Sequence, residues 1–438
     1  MTPGARLAAA IEILDEAEAT RLPLDRALER WAKGHRYAGS KDRAAISARV
    51  YDVMRARALI DARWPGANAR ERVFASLKLI DALPCADIQA MASDGKYAPG
   101  ALSEAEEAKL DALQPASGDD PRWVRLNYPA WLDERFEAAF PGRVEEELAA
   151  LNRPAPVDLR ANLLKTSRDG LLQELGEEGI EAQPTYWSPW GIRLASPRRL
   201  RAVGAIREGA AEIQDEGSQL VSALVGARPG ERIVDYCAGA GGKTLAMGAM
   251  MAGEGEILAC DVDGRRLARL KERAKRAGLY NVTAKVHEPG GMSGMEARAD
   301  RVLLDVPCSG TGTWRRQPEA RWRLTPEEFE TYGRIQREIL EEAAPIVRPG
   351  GALIYVTCSF FREENEDQIA RFLAAHDEFE VVDWRLQFPE GWPVPAPGKS
   401  DYLRLSPAST GTDGFFAALL GGAYEGPGKQ KEAACLAS

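Results

Sequence analysis

Two cysteines stand at the exits of apolar runs. Residues 302–308 read VLLDVPC and continue SGTGTWRRQPE; residues 352–358 read ALIYVTC and continue SFFREENED. A short apolar run bounded by turn residues is the pattern of a buried strand. All strands of a parallel sheet open their carboxyl ends on one side, where ligands bind, and neighbours lie about 4.8 Å apart. If these two strands are neighbours, Cys308 and Cys358 converge over one crevice, with Asp305 beside them. A pyrimidine carbon is a poor nucleophile, but a thiolate added at carbon 6 activates carbon 5. A carboxylic acid at ring N3 favours that addition, and a second thiol can help expel the first. Two thiols and one carboxylate therefore suit methylation of pyrimidine carbon 5. A cysteine protease would need a nearby histidine base, and His35, His287 and His376 are far from both motifs in sequence. A lone cysteine is usually a small buried hydrophobe, which is the reading for Cys237 and Cys260.

A strand followed by a glycine-rich turn, IVDYCAGAGGKT, spans residues 233–244. Two nucleotide-binding patterns nearly fit. The position of the first P-loop glycine is Cys237, and the third glycine of the dinucleotide fingerprint is replaced by Thr244. What remains is a backbone open to close approach at Gly239, Gly241 and Gly242, leading into a helix N-terminus. Asp235 can accept from an ammonium group. A second strand ends at Asp261, the place where doubly wound folds bind ribose hydroxyls. A ligand with a ribose, a positive amino group and no phosphate is S-adenosylmethionine.

The elements that must hold these residues follow from periodicity. Residues 1–150 read as helices, with Ser40 a candidate cap for apolar positions Ile46, Val50, Val53 and Met54 at helical spacing. RPAPVDL breaks that pattern. Residues 151–212 read as a small α+β segment. From 213 to 424 short apolar strands alternate with helices, which predicts a mostly parallel sheet wrapped by helices. The tail 425–438 is expected to be disordered.

Composition sets the outer limits. The chain has 438 residues, 28% of them charged, and a net charge of −9. A dedicated nucleic-acid binder is usually basic, so nucleic-acid contact must rest on local patches. Residues 265–276, RRLARLKERAKR, hold seven basic residues and one acid; WRRQPEARWR interleaves four Arg with two Trp; PRRLRAVGAIR adds four Arg. Arg and Trp stack on unpaired bases, and a target base must leave its stack to reach a thiol. The first stretch reads equally well as a solvated helix face. The six cysteines are dispersed without a C-x-x-C pair, so neither a metal site nor a disulfide framework is expected. With no apolar run near 20 residues and acidic residues within the second ten, the expectations are a cytoplasmic monomer and no membrane contact.

These motifs together resemble the Sun/RsmB family of RNA 5-methylcytosine methyltransferases, whose bacterial members modify 16S ribosomal RNA. DYCAGAGGKT is similar to the family's cofactor loop, DVPCSGTGTWRRQPEARWRLT to its Pro-Cys motif and YVTCSFFREENE to its Thr-Cys motif. RANLLK, QDEGSQL and GTDGFFAALL also match, over about residues 125–420. The resemblance implies a Rossmann-like domain with a seven-stranded, mostly parallel sheet. More weakly, residues 1–150 resemble a NusB-like RNA-binding domain. It implies Cys358 as the nucleophile and Cys308 as the aid to product release. It implies cofactor contacts at Asp235, Cys237, Ala238, Gly239, Ala240, Gly241, Gly242, Lys243, Asp261 and Asp305, with Lys243 also holding Asp305 or a ring oxygen. The nearest match to the family's adenine-contacting acid is Glu288. RNA contact is assigned to Trp314, Arg315, Arg316, Arg160, Asn162 and Lys165. The expected reaction is S-adenosylmethionine-dependent methylation of a cytosine in 16S ribosomal RNA. The alternatives are a transfer-RNA enzyme or a non-catalytic ribosome assembly factor.

Overall fold

The computed structural model describes residues 1–196, 203–288, 291–292, 294–388, 392–393 and 400–422. The tail 425–438 and the start of PRRLRAVGAIR lie outside the described residues.

The chain forms two compact units. One comprises Met1–Arg153 together with Trp314–Thr325; the other comprises Pro154–Thr313 and Pro326–Ser438. Sequence periodicity predicts consecutive blocks. The structure instead takes the later part of the Pro-Cys motif, Trp314–Thr325, into the helical unit and places both sheets in the second.

The helical unit packs Pro3–Thr20, Ser40–Arg55 and Ala69–Leu79 around Ile13, Leu14, Ile46, Val50, Val53 and Phe74, all buried. Their helical spacing is what buries them together. Gly39, not Ser40, caps the helix Ser40–Arg55, and the Asp42 carboxylate accepts from the Gly39 N–H at 3.2 Å. Further along, Asn68 accepts from Glu71 N at 3.0 Å while Glu71 accepts from Asn68 N at 2.8 Å, a reciprocal cap.

The second unit begins with strands β1 (Val157–Ala161), β2 (Ala182–Pro184), β3 (Gly191–Leu194) and β4 (Ala211–Ile213). They form an antiparallel sheet in the order β2-β3-β1-β4. The helix Arg168–Glu177 covers it through Leu171 and Leu175.

The larger sheet contains β5 (Arg232–Asp235), β6 (Glu256–Asp261), β7 (Val282–Val286), β8 (Ala299–Asp305), β9 (Val347–Thr357), β10 (Phe379–Val381), β11 (Leu403–Leu405) and β12 (Phe415–Gly422). Its order is β7-β6-β5-β8-β9-β12-β10, with β11 also paired to β12. The first five of that row are parallel; β12 alone is reversed, pairing antiparallel with β9 on one side and with β10 and β11 on the other. The expected seven strands form the row, and the short β11 adds an eighth. From β5 the chain moves outward to β6 and β7, then returns to β8 and continues to β9. Strand order therefore reverses between β5 and β8, the place where open α/β sheets bind ligands.

Candidate active site

The glycine-rich loop leaves β5 at the fully buried Asp235 and enters the helix Gly242–Met250. Gly241 has φ 84°, and a Cβ there would lie 2.6 Å from Leu270. Only glycine turns the chain here without strain or collision. Gly239 N donates to Asp261 Oδ2 at 2.9 Å, and Asp261 Oδ1 accepts from Asp263 N at 2.8 Å. Arg273 Nη1 donates to Ala240 O at 2.5 Å, and the same guanidinium pairs with Glu212 at 2.9 Å. The loop is thus fixed from β6 and from the helix Gly264–Ala277 behind it.

A cavity of about 650 Å³ opens at the carboxyl ends of β5, β6 and β8. Asp235, Cys237, Ala238, Gly239, Ala240, Gly242, Lys243, Asp261 and Asp305 line it. Two expected residues do not. Gly241 is spent on the turn beneath Leu270. Glu288 is exposed beyond β7, and the cavity wall there is His287, whose ring lies 4.6 Å from that of Tyr236. Asp235 Oδ2 accepts from Thr244 Oγ1 at 2.6 Å, while buried Oδ1 has no partner among the described residues. Burial pushes this carboxyl up to about 7. Burial likewise holds the Cys237 thiol well above its ordinary range, so it lines the wall as a neutral group.

Strands β8 and β9 are neighbours, with Asp305 opposite Val356. The loops that follow bring Cys308 Sγ within 3.5 Å of Cys358 Sγ on the cavity wall. Contact with Cys358, then burial, then the charges of Cys358 and Glu364 push the Cys308 thiol well above its ordinary range. Lys243 Nζ lies 2.6 Å from Asp305 Oδ2 and 5.4 Å from the Phe415 ring centroid. Burial pulls the lysine down. The facing Asp305 carboxylate and the nearby Cys358 sulfur outweigh that, so it stays a cation.

The cysteine loops are laced together. Gly312 N donates to Cys358 O at 2.8 Å, and Gly414 N donates to Gly312 O at 2.9 Å. A Cβ on Gly312 would lie 2.3 Å from Gly414 O, and one on Gly414 would lie 2.3 Å from the Phe360 ring. The glycines of GTG and TDG therefore allow two backbones to touch beside the thiols. Sequence pattern does not mark His287, Phe415 and Glu364 as site residues. The last two lie inside quoted motifs, but nothing in their types announced how far they reach.

The residues assigned to RNA behave differently. Arg160 is 2% exposed; its Nε donates to Gln214 Oε1 at 2.6 Å, and burial pushes the guanidinium down to about 10. Asn162 Nδ2 donates to Gly209 O and Ala277 O, both at 2.8 Å. Lys165 Nζ donates to Glu208 O at 2.6 Å and Arg276 O at 2.7 Å. Asn162 and Lys165 thus satisfy carbonyls at the end of the helix Gly264–Ala277, where cations and donors are favoured. Trp314 is fully buried in the helical unit, edge-on to Phe136 at 5.8 Å and under the Arg321 guanidinium at 5.0 Å. Arg315 is buried and Arg316 half-buried. An Arg-flanked indole reads as a stacking platform, yet its large apolar area is worth more inside a core. Arg265, Arg266, Arg269, Lys271 and Lys275 are exposed on the basic helix, while Arg273 and Arg276 pair inward with Glu212.

Among the described residues no three or more His, Cys, Asp or Glu gather as a metal would require, and no helix is long and apolar enough to cross a membrane. The family described as 16S rRNA methyltransferase RsmB/F matches residues 222–421, and the ferredoxin-like domain of RsmF/B-like methyltransferases matches 128–201. The chain is 37% identical over 306 residues to a probable ribosomal RNA small subunit methyltransferase B of Synechocystis, covering 68% of this chain and 67% of that one. It is 31% identical over 325 residues to a ribosomal RNA small subunit methyltransferase B of Serratia proteamaculans, covering 73% and 72%. The solved structure of PH0851 is 28% identical with a TM-score of 0.79, covering 96% of this chain and 99% of that one.

Proposed function

The chain belongs to the RsmB/F methyltransferase family, and we propose that it methylates carbon 5 of a cytosine in 16S ribosomal RNA through a covalent bond from Cys358 to carbon 6. The observation that carries this reading is the pair of sulfurs 3.5 Å apart on the cavity wall, beside the Lys243–Asp305 pair.

The residues present fit S-adenosylmethionine. The unpartnered oxygen of Asp235 would accept from its ammonium group, Asp261 would take the ribose hydroxyls, and Val262 and His287 offer apolar and aromatic wall to the adenine. When bound, S-adenosylmethionine supplies the methyl group. The chain does the rest. The Cys358 sulfur, on the cavity wall beside the Lys243–Asp305 pair, adds to carbon 6. Asp305, held by Lys243, faces the ring. As the carbon-5 proton passes to solvent and the carbon–sulfur bond breaks, Cys308, kept as a neutral thiol 3.5 Å away, hydrogen-bonds to the departing Cys358 sulfur and so assists elimination. The helical unit supplies RNA contact in this reading, as a NusB-like domain would.

Bisulfite sequencing of ribosomal RNA from cells with and without the gene tests the proposal. Loss of protection at one 16S cytosine is the expected outcome. Loss at a transfer-RNA position, or at no cytosine, overturns the substrate or the chemistry respectively.

A further inference from the structure

Each cysteine is followed by a serine, and both serines reach the same carboxylate. Ser309 Oγ donates to Glu364 Oε2 at 2.5 Å and Ser309 N donates to Oε1 at 2.8 Å. The Ser359 hydroxyl also donates to Oε2, and the two serine oxygens lie 3.0 Å apart. Gln336 Nε2 donates to Oε1 at 3.1 Å and to Pro307 O at 2.9 Å, holding the residue before Cys308 as well. The backbone of Glu364 is fixed in turn, since Tyr355 OH on β9 donates to its carbonyl at 2.7 Å.

Glu364 is 1% exposed, and none of these four donors is a cation. An ionised carboxylate buried without a positive partner is costly. An apolar residue of like size would serve a plain core better. What a carboxylate offers here is four acceptor directions at one point, which two backbone loops can share. The serines it holds stand next to Cys308 and Cys358 in the chain.

We infer that Glu364 is a positioning residue, clamping the Pro-Cys and Thr-Cys loops through Ser309 and Ser359 so that Cys308 and Cys358 stay within reach of one substrate carbon pair. The inference rests on the two-thiol reaction proposed above. Burial pushes the Glu364 carboxyl above its ordinary range against the hydrogen bonds from Ser309, Ser359 and Gln336, so what it supplies is acceptor geometry at one point. Glu364 lies outside the cavity lining, so its loss should leave cofactor binding intact.

The test uses the full chain and two independent readouts. Diamide takes two electrons and two protons from a close thiol pair, leaving a disulfide that peptide mapping detects, so the rate of Cys308–Cys358 disulfide formation reports their geometry without any substrate. Methyl transfer to undermodified small-subunit RNA reports the reaction, and calorimetry with S-adenosylmethionine reports the pocket. Glu364→Ala is expected to slow disulfide formation about tenfold and to lower kcat about a hundredfold, with cofactor affinity unchanged. Glu364→Gln, which keeps the shape and one acceptor oxygen, is expected to recover most of both. If Glu364→Ala does not fold, Ser309→Ala removes one tie and should slow disulfide formation in the same direction. Parental disulfide rates in the folded variants, or losses that track cofactor affinity, overturn the inference. A slowed disulfide in an enzyme whose parent transfers no methyl group leaves the clamp standing and overturns the reaction.

Discussion

Cys308 and Cys358 leave adjacent parallel strands and bring their sulfurs to 3.5 Å. The pair is asymmetric. Cys308 is held as a neutral thiol, whereas the Cys358 sulfur lies close enough to Lys243 to strengthen that cation. The thiolate is the form that attacks carbon, and Cys308 is the one held away from it. Cys358→Ala should therefore lower methyl transfer below about one thousandth of the parent rate, with S-adenosylmethionine binding retained. Cys308→Ala should instead trap the protein on RNA as a slow-migrating species on a denaturing gel. A fully active Cys358→Ala enzyme, or a trapped species in that variant but not in Cys308→Ala, would reverse the assignment.

The part of this arrangement legible in the sequence is the part written in short-range pattern. VLLDVPC and ALIYVTC read as buried strands, and the parallel rule was enough to bring their thiols together. IVDYCAGAGGKT likewise exposed its turn, because Gly239 and Gly241 have positive φ that side chains resist. Long-range partners were not legible. Nothing near Trp314 says that Phe136 will bury it, and nothing in RANLLK says that Asn162 and Lys165 meet the end of a helix more than 100 residues further on. Glu288 and His287 are adjacent, and a one-residue choice after a strand decides which side chain faces in.

The Gly312–Gly414 crossing offers a steric test. Gly312→Ala puts a methyl group 2.3 Å from Gly414 O, which is backbone and cannot swing aside. The Pro-Cys loop must shift away from the start of β12, at a cost of about 1–3 kcal/mol. Chemical denaturation should show that loss, and kcat should fall with cofactor affinity unchanged. A variant with parental stability and rate would mean that the two backbones separate freely.

Arg273 carries the cofactor loop from behind. Its guanidinium joins Ala240 O to Glu212, which is 4% exposed and also pairs with Arg276. Arg273→Met keeps the aliphatic stem and removes a charge-assisted hydrogen bond, worth about 1.5–3 kcal/mol. The expected result is a dissociation constant for S-adenosylmethionine raised about tenfold or more, with kcat at saturation little changed. Equal losses in kcat at saturating cofactor would place Arg273 in the chemistry rather than in the loop.

If the S-adenosylmethionine ammonium sits on Asp235, as proposed, cofactor binding should depend on pH. Burial lifts its carboxyl from the ordinary 3.8 to about 7, against the opposing hydrogen bond from Thr244. The folded chain thus binds this proton more tightly than the unfolded chain does. This group's contribution to stability is greatest below about pH 4, falls as pH rises from about 4 to 7, and is constant above that. The bound ammonium needs the carboxylate, so the cofactor must displace the proton below pH 7. Affinity for S-adenosylmethionine should therefore weaken by up to about tenfold per unit below pH 7 and level off above it. Asp235→Asn cannot ionise. It should bind weakly with no such slope, and it should melt higher than the parent at pH 8, where the parent buries an unpaired charge. Calorimetry from pH 5.5 to 8.5 beside thermal melts reads both effects. A flat profile in the parent, or the same slope in Asp235→Asn, would take the ammonium contact away from Asp235.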